Sequence, residues 1–181
     1  MPIVLAVLIM LAGVLVSSIP VSATPLPPSS SSSAPAVVKA DRVVVVKSER
    51  RLHLMRDGAV VAVYPVSLGQ NPVGPKHFEG DGRTPEGVYR LESKNNRSRF
   101  YRSIRISYPS PADRERARKY GGPPGGDIML HGQPPATNVS ALKRIALSPT
   151  SWTDGCIAVE NRAMDEIWAA VDPGTPIEIL P

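Results

Sequence analysis

The chain has 181 residues, with 21 Lys and Arg against 16 Asp and Glu, a net charge of +5 and a sequence pI of about 9.6. That length fits one domain with a tail. The basic residues are dispersed, with no Lys/Arg-rich run of roughly five to eight residues, so nothing marks a nucleic-acid partner; a mildly basic surface suits an anionic envelope instead.

The first element is a targeting segment. Ile3 to Val16 is apolar and Val21-Ser22-Ala23 is a small-residue cleavage pattern. The run is shorter than the ~20 residues a membrane helix needs. Residues 1–23 therefore read as a signal peptide, with an uncleaved anchor as the alternative because no Lys or Arg precedes the run. Residues 24–40, including the serine run 29–33, form a Pro/Ser-rich linker that cannot bury a core. The folded domain spans 41–181. The expectation is a monomer exported to the periplasm or cell envelope, touching a membrane only through the N-terminal segment if it stays uncleaved.

Val43 to Val46 is β-branched and predicts a strand. Asp57-Gly58 between apolar runs predicts a hairpin whose type I′ turn needs positive φ at both central residues. Leu52 and Leu54 share one face, and His53 is a half-exposed strand residue. The glycine-rich stretch 68–87 matches neither G-x-x-x-x-G-K-[ST] nor G-x-G-x-x-G, so phosphate cradling is not expected. A loop of that length in a compact domain is functional or disordered. GVYRLE and SIRISYP predict strands, and Asp113 to Tyr120 a short charged helix. DIMLHG is a strand delivering His131 at its end. Asn138 to Leu147 reads as a helix and GCIAV as a strand or strand end. Asn161 is a candidate N-cap for a helix whose Met164, Ile167, Trp168 and Val171 fall at i, i+3, i+4, i+7. TPIEIL closes the chain as a strand. The fold class is α+β, rich in β, with short helices and loops carrying the chemistry.

Cys156 is the only cysteine. In an oxidising compartment an odd cysteine is either buried and inert or free and reactive. A thiol becomes a nucleophile where an imidazole or backbone N–H groups favour its thiolate, and His131 is the histidine placed beside a glycine at a strand end. Gly155 lets the backbone approach a carbonyl without a Cβ clash. The turn at Asp154-Gly155-Cys156 could aim successive N–H groups at one oxyanion. A carboxylate pointed at the thiol would weaken it, so Asp154 is expected to turn away and hold the loop through local backbone bonds. A thiol redox protein lacks its C-x-x-C, and one cysteine with three scattered histidines gives no zinc spacing.

His131-Gly132 followed by Thr153-Asp154-Gly155-Cys156-Ile157 resembles the signature of the YkuD-type L,D-transpeptidase family, and TDGCIAV, NPVGPKHFEGDGRTPEG, ISYP and GGDIMLHG resemble its YafK-like branch over roughly residues 42–179. The resemblance implies a fold of packed β-sheets acting on peptidoglycan stem peptides, with neither metal nor cofactor. It implies Cys156 as the nucleophile on the carbonyl of the third, diamino-acid residue, giving a thioester that a second stem's amine resolves into a 3→3 cross-link. His131 would take the thiol proton and return it to the leaving amine, the Gly132 carbonyl would orient the imidazole, and the N–H groups of Gly155 and Cys156 would hold the oxyanion. Thr153, Asp154, Tyr108 and Arg105 are candidates for substrate binding, with core packing for Tyr108 and an exposed strand position for Arg105 and Arg102 as the plain readings. His77 is a weaker candidate. The commoner family pattern has histidine at Asp154 and often arginine at Ala158. Those departures leave hydrolysis of the thioester open, as an L,D-carboxypeptidase or an amidase detaching wall-bound protein, beside a binding module without turnover.

Overall fold

The computed structural model describes residues 38–134 and 151–181. The expected signal peptide, the linker up to residue 37 and the helix expected over 138–147 lie outside the described residues.

Strands β1 (Arg42–Val46), β2 (Arg51–Arg56) and β3 (Ala59–Pro65) form an antiparallel meander. Its second turn carries Asp57 at φ 50° and Gly58 at φ 79°, the positive pair that a type I′ hairpin requires. After the short β4 (Leu68–Gly69) and the glycine-rich loop come β5 (Gly87–Ser98) and β6 (Tyr101–Ile106). Helix α1 (Pro111–Lys119), β7 (Met129–His131), β8 (Ser151–Thr153), β9 (Ile157–Ala158), helix α2 (Asn161–Ala170) and β10 (Pro176–Leu180) complete the order.

Eight strands make one mixed sheet in the order β3-β2-β1-β10-β5-β6-β7-β9, and β4 pairs with β8 in a second, two-stranded sheet. β10, last in sequence, lies parallel to β1 and antiparallel to β5. The inward face alternates as period two demands: Val43, Val45, Leu52, Leu54, Leu91, Ile104, Ile106, Leu130, Ile157, Ile177 and Ile179 are all buried. Met164, Ile167 and Val171 of the expected helical stripe join the same core, and Trp168 packs against it half-buried. Lys94 donates to the Trp168 and Val171 carbonyls, both at 2.6 Å, satisfying orphan groups at the end of α2.

Several boundaries differ from the sequence reading, β6 among them, which starts at Tyr101 and ends at Ile106 short of the expected SYP. β5 runs well past GVYRLE, because after Leu91 its pairing with β6 slips twice and the polar stretch continues as a two-stranded ribbon; apolar alternation fades there, so the sequence hides the extension. α1 starts earlier than Asp113, since Ser110 caps it in a reciprocal box with Asp113 and Pro111 takes the first helical position. Glu160, not Asn161, occupies the N-cap of α2 and makes no side-chain cap bond.

The glycine-rich loop is held from within. The buried Asp81 carboxylate pairs with Lys76 at 2.8 Å and accepts from the His77, Phe78 and Arg83 N–H groups. The Gly69 N–H donates to Thr84 Oγ1, and Ser67 bridges Ala158 through bonds of 2.8 and 2.9 Å. The loop is thereby tied to the segment that carries Cys156.

Candidate active site

Cys156 occupies the turn between β8 and β9. The Thr153 hydroxyl donates to the Cys156 carbonyl at 2.7 Å and accepts from the Gly155 N–H at 3.2 Å. Gly155 stands at φ 128°, and a Cβ there would lie 2.6 Å from the Arg83 carbonyl oxygen. Only glycine fits, for backbone conformation and for space.

β7 and β9 run parallel with Leu130 opposite Ile157 and His131 opposite Ala158. Leu130 and Ile157 enter the core. By alternation, His131 and Cys156 face the other way as diagonal neighbours on adjoining strands. Both line one open cleft of about 490 Å³, together with Arg97, Arg99, Phe100 and Asp127. A smaller adjoining pocket of about 220 Å³ adds Trp152, Thr153 and Asp154.

The His131 Nδ1 lies 2.6 Å from the Gly132 carbonyl oxygen. Since a carbonyl only accepts, this ring nitrogen carries the proton and Nε2 keeps its lone pair. Phe100 stacks on the imidazole at 4.7 Å between ring centres, and Trp152 meets it edge-on at 5.9 Å. Burial pushes His131 down to about 4; the Gly132 bond pulls it back up, and the Arg99 charge lowers it further. Gly132 is itself confined: a Cβ would lie 2.6 Å from Asn161 Oδ1, which accepts from the Gln133 N–H at 2.7 Å.

The thiol is held by backbone alone. Cys156 Sγ accepts from the Met129 N–H at 3.4 Å and donates to the Asp127 carbonyl at 3.5 Å. Asp127 is at φ 53°, the left-handed conformation an aspartate tolerates. Burial pushes the Cys156 thiol up from its ordinary value; the Met129 N–H opposes this, and the charges of Asp154 and Asp127 add to it. With the imidazole pushed down and the thiol pushed up, both shifts favour the neutral forms. The thiolate-favouring neighbour expected from sequence is therefore not an imidazolium at rest.

Cys156 and His131 line one cleft, each next to its glycine, while the substrate-binding candidates divide. Tyr108 is buried, its hydroxyl donates to the Pro124 carbonyl at 2.8 Å and its ring meets Tyr89 edge-on, so it packs the core and leaves the cleft. Thr153 is buried with its hydroxyl engaged in the turn. Asp154 does not hold the loop through local backbone bonds; its carboxylate accepts from Gln70 Nε2 at 3.1 Å across the pocket rim. Arg105 lies outside the cleft lining, paired with Asp127 at 3.2 Å and Glu92 at 3.5 Å. Arg102 pairs with Asp165, and His77 stacks on Tyr120 at 4.0 Å. The Gly155 N–H is taken by Thr153, which leaves the Cys156 N–H as the donor of this turn with no acceptor among the described residues.

The family model YkuD, L,D-transpeptidase catalytic domain, matches residues 40–179. The chain belongs to this family. It is similar to the "Putative L,D-transpeptidase YafK" of Escherichia coli strain K12, 26% identical over 152 residues that cover 77% of this chain and 53% of that protein. The chain thus spans about half the length of the curated relatives it matches. Among solved structures it resembles the helical cell shape determining protein Pgp2 from Campylobacter jejuni, with 25% identity and a TM-score of 0.56, covering 76% of this chain and 46% of the other. Bd1075 of Bdellovibrio bacteriovorus shares the fold at 23% identity and a TM-score of 0.52, over 77% of this chain and 47% of that one.

Within this L,D-transpeptidase domain the sequence reading missed the roof of the site. Phe100 and Trp152 pack against the imidazole and Arg97 and Arg99 line the cleft, and none belongs to the His-Gly or Thr-x-Gly-Cys segments. The sequence signal for three of them is Arg-Ser-Arg-Phe at the end of a polar stretch, where arginines alternate and an aromatic follows; Trp152 directly precedes the Thr-Asp-Gly-Cys segment.

Proposed function

We propose that this domain is an exported cell-wall enzyme that uses Cys156 to transfer stem-peptide acyl groups. The observation that carries the reading is the joint placement of Cys156 and His131 in one cleft, with Nδ1–H of His131 tied to the Gly132 carbonyl and Nε2 left as acceptor. Nε2 takes the thiol proton as sulfur attacks the carbonyl of the third residue. The carbonyl oxygen gains negative charge, for which the Cys156 N–H is the available donor. The C–N bond breaks, His131 returns the proton to the leaving amine, and a thioester remains. A second stem's amine attacks the thioester and loses its proton to His131; the thiol is released and a 3→3 cross-link forms. No helix of the described residues is long and apolar enough to cross a membrane.

Asp154 supports a second reading. Its carboxylate stands on the rim of the smaller pocket, hydrogen-bonded to a neutral amide, a pair able to orient a water against the thioester. Hydrolysis would then replace transfer. Incubation with tetrapeptide muropeptides, read by mass spectrometry, separates the two: cross-linked dimers support transfer, tripeptide with the free terminal amino acid and no dimer supports hydrolysis, and no change in either rejects both.

A further inference from the structure

The ribbon formed by the far ends of β5 and β6 turns through Arg99 and Phe100, between the paired Ser98 and Tyr101. Arg97 and Arg99 both line the cleft that holds Cys156, and Arg99 lines the adjoining pocket too. The tip is fixed in place. The Arg99 guanidinium lies 4.9 Å from the centre of the Phe100 ring, and that ring stacks on His131. The Arg97 N–H donates to Asn95 Oδ1 at 2.9 Å, and the Phe100 N–H donates to Ser98 Oγ at 3.1 Å. Neither guanidinium has a carboxylate partner among the described residues, whereas neighbouring Arg102, Arg105 and Arg116 are paired with Asp165, Asp127 and Asp113. The acidic residue of the larger cleft, Asp127, is thus already engaged by Arg105. Asp154 lines only the smaller pocket and is bound to Gln70. The charge on the cleft wall that no carboxylate offsets is positive, and it sits on two planar forks suited to a carboxylate.

We propose that Arg97 and Arg99 at the β5–β6 tip bind a free carboxylate of the peptide substrate and select peptides carrying it over those in which it is amidated. The assignment rests on the acyl-transfer reading for the kind of ligand and on the ribbon for the site. Two carboxylates of a stem peptide share the required chemistry: the α-carboxylate at its end, and one borne on the side chain of its diamino acid. Both guanidiniums are exposed, so their contribution is that of a screened pair, about tenfold in affinity and smaller as salt rises. The same contact has a consequence for the base. Arg99 disfavours a charged His131, and an anion seated on Arg99 offsets that field as the imidazole takes the thiol proton.

The test uses three otherwise identical tetrapeptides: both carboxylates free, the terminal one amidated, or the side-chain one amidated. Binding is titrated by NMR on the full chain bearing Cys156→Ala, with and without Arg97→Gln and Arg99→Gln, and turnover is followed separately on the wild type. Amidation at one of the two positions is expected to weaken binding about tenfold, and that position names the carboxylate. The penalty should vanish in the double glutamine variant and persist in part in Arg97→Lys/Arg99→Lys, with an unchanged thermal midpoint showing that each variant folds. The assignment is overturned if neither amidation weakens binding, if the penalty survives the glutamine substitutions, or if no peptide binds. Peptides that bind with this discrimination yet are not turned over by the wild type would leave the arginine site standing and remove the acyl-transfer reading.

Discussion

His131 and Cys156 are displaced in the directions that keep both neutral. A preformed ion pair would draw the imidazole up and the thiol down. Here burial dominates both, lowering the first to about 4 and raising the second. In the proposed acyl transfer, proton transfer would therefore belong to the attack itself, where a positioned base contributes about 10²–10⁴-fold. Cys156→Ala should abolish turnover with the fold intact, and His131→Ala should cost that factor, both read as kcat/KM on tetrapeptide muropeptides. Iodoacetamide should alkylate wild-type Cys156 with a midpoint above the ordinary thiol value of about 8.5; a midpoint below it would mean that the charged pair exists at rest. The same burial predicts a stability term. His131 has a folded value near 4 and an unfolded value near 6.5, so the unfolded chain binds the extra proton between them. The contribution is present above pH 6.5 and is lost as pH falls from there to 4, amounting to about 3 kcal/mol. Chemical denaturation across that window should show wild type losing this increment and His131→Phe not losing it. The pair was legible in sequence because a histidine before glycine and a lone cysteine after glycine are rare enough to be noticed. Its neutral resting state was not legible, since it arises from Phe100 and Trp152, which no local pattern assigns to the site.

At the scale of elements, the turns do the positioning, and side chains there have tasks their residue types only half suggest. Asn161 looked like a helix cap. Its amide oxygen instead reaches back to the Gln133 N–H and keeps the chain leaving His131 in line. Asn161→Ala should leave that donor unsatisfied, costing about 1–2 kcal/mol, and lower kcat with little change in KM, while Asn161→Asp, which keeps the acceptor, should recover most of both. Thermal unfolding and steady-state kinetics on the same preparations decide this. Gly155→Ala meets two obstacles at once, a φ of 128° and the Arg83 carbonyl at 2.6 Å. It should cost about 1–3 kcal/mol and displace the Cys156 turn, with alkylation rate and urea midpoint both changed. The sequence singled out Gly155 for an oxyanion N–H; in the structure that N–H donates to Thr153 and the missing Cβ clears Arg83. The sequence could not show that the glycine-rich loop supplies the opposing backbone, because that contact joins segments far apart in the chain. Thr153 and Asp154, the motif's candidate substrate contacts, line the smaller pocket and bond Cys156 and Gln70, partners that follow from the path of the β8–β9 turn.

Across the whole molecule, the elements that carry His131 and Cys156 occupy one end of a sheet whose other end carries no proposed site residue. β7 and β9 lie at one edge and the β1–β3 meander forms the other, and β10 joins the halves by pairing with β1 on one side and β5 on the other. β-branched and apolar runs, with the Asp57-Gly58 turn, made these strands legible. Their order was not, because β10 is the last segment to be written and sits in the middle, a placement set by the crossover through α2 and not by any local signal. The joint is apolar: Ile177 and Ile179 are fully buried, and burying such a side chain is worth about 1.5–3 kcal/mol. Together they contribute about 3–6 kcal/mol, a large share of a total stability of roughly 5–15 kcal/mol, before the lost ladder bonds and two newly open strand edges are considered. A chain ending at Thr175 should therefore show no cooperative unfolding transition and no turnover, although every residue of the cleft is retained. Ile179→Val provides the graded control: it should cost about 0.5–1.5 kcal/mol in urea unfolding while leaving kcat/KM unchanged. A truncated chain that unfolds cooperatively and keeps its activity would mean that the β5–β9 half is a self-sufficient unit and that the meander is dispensable to the site.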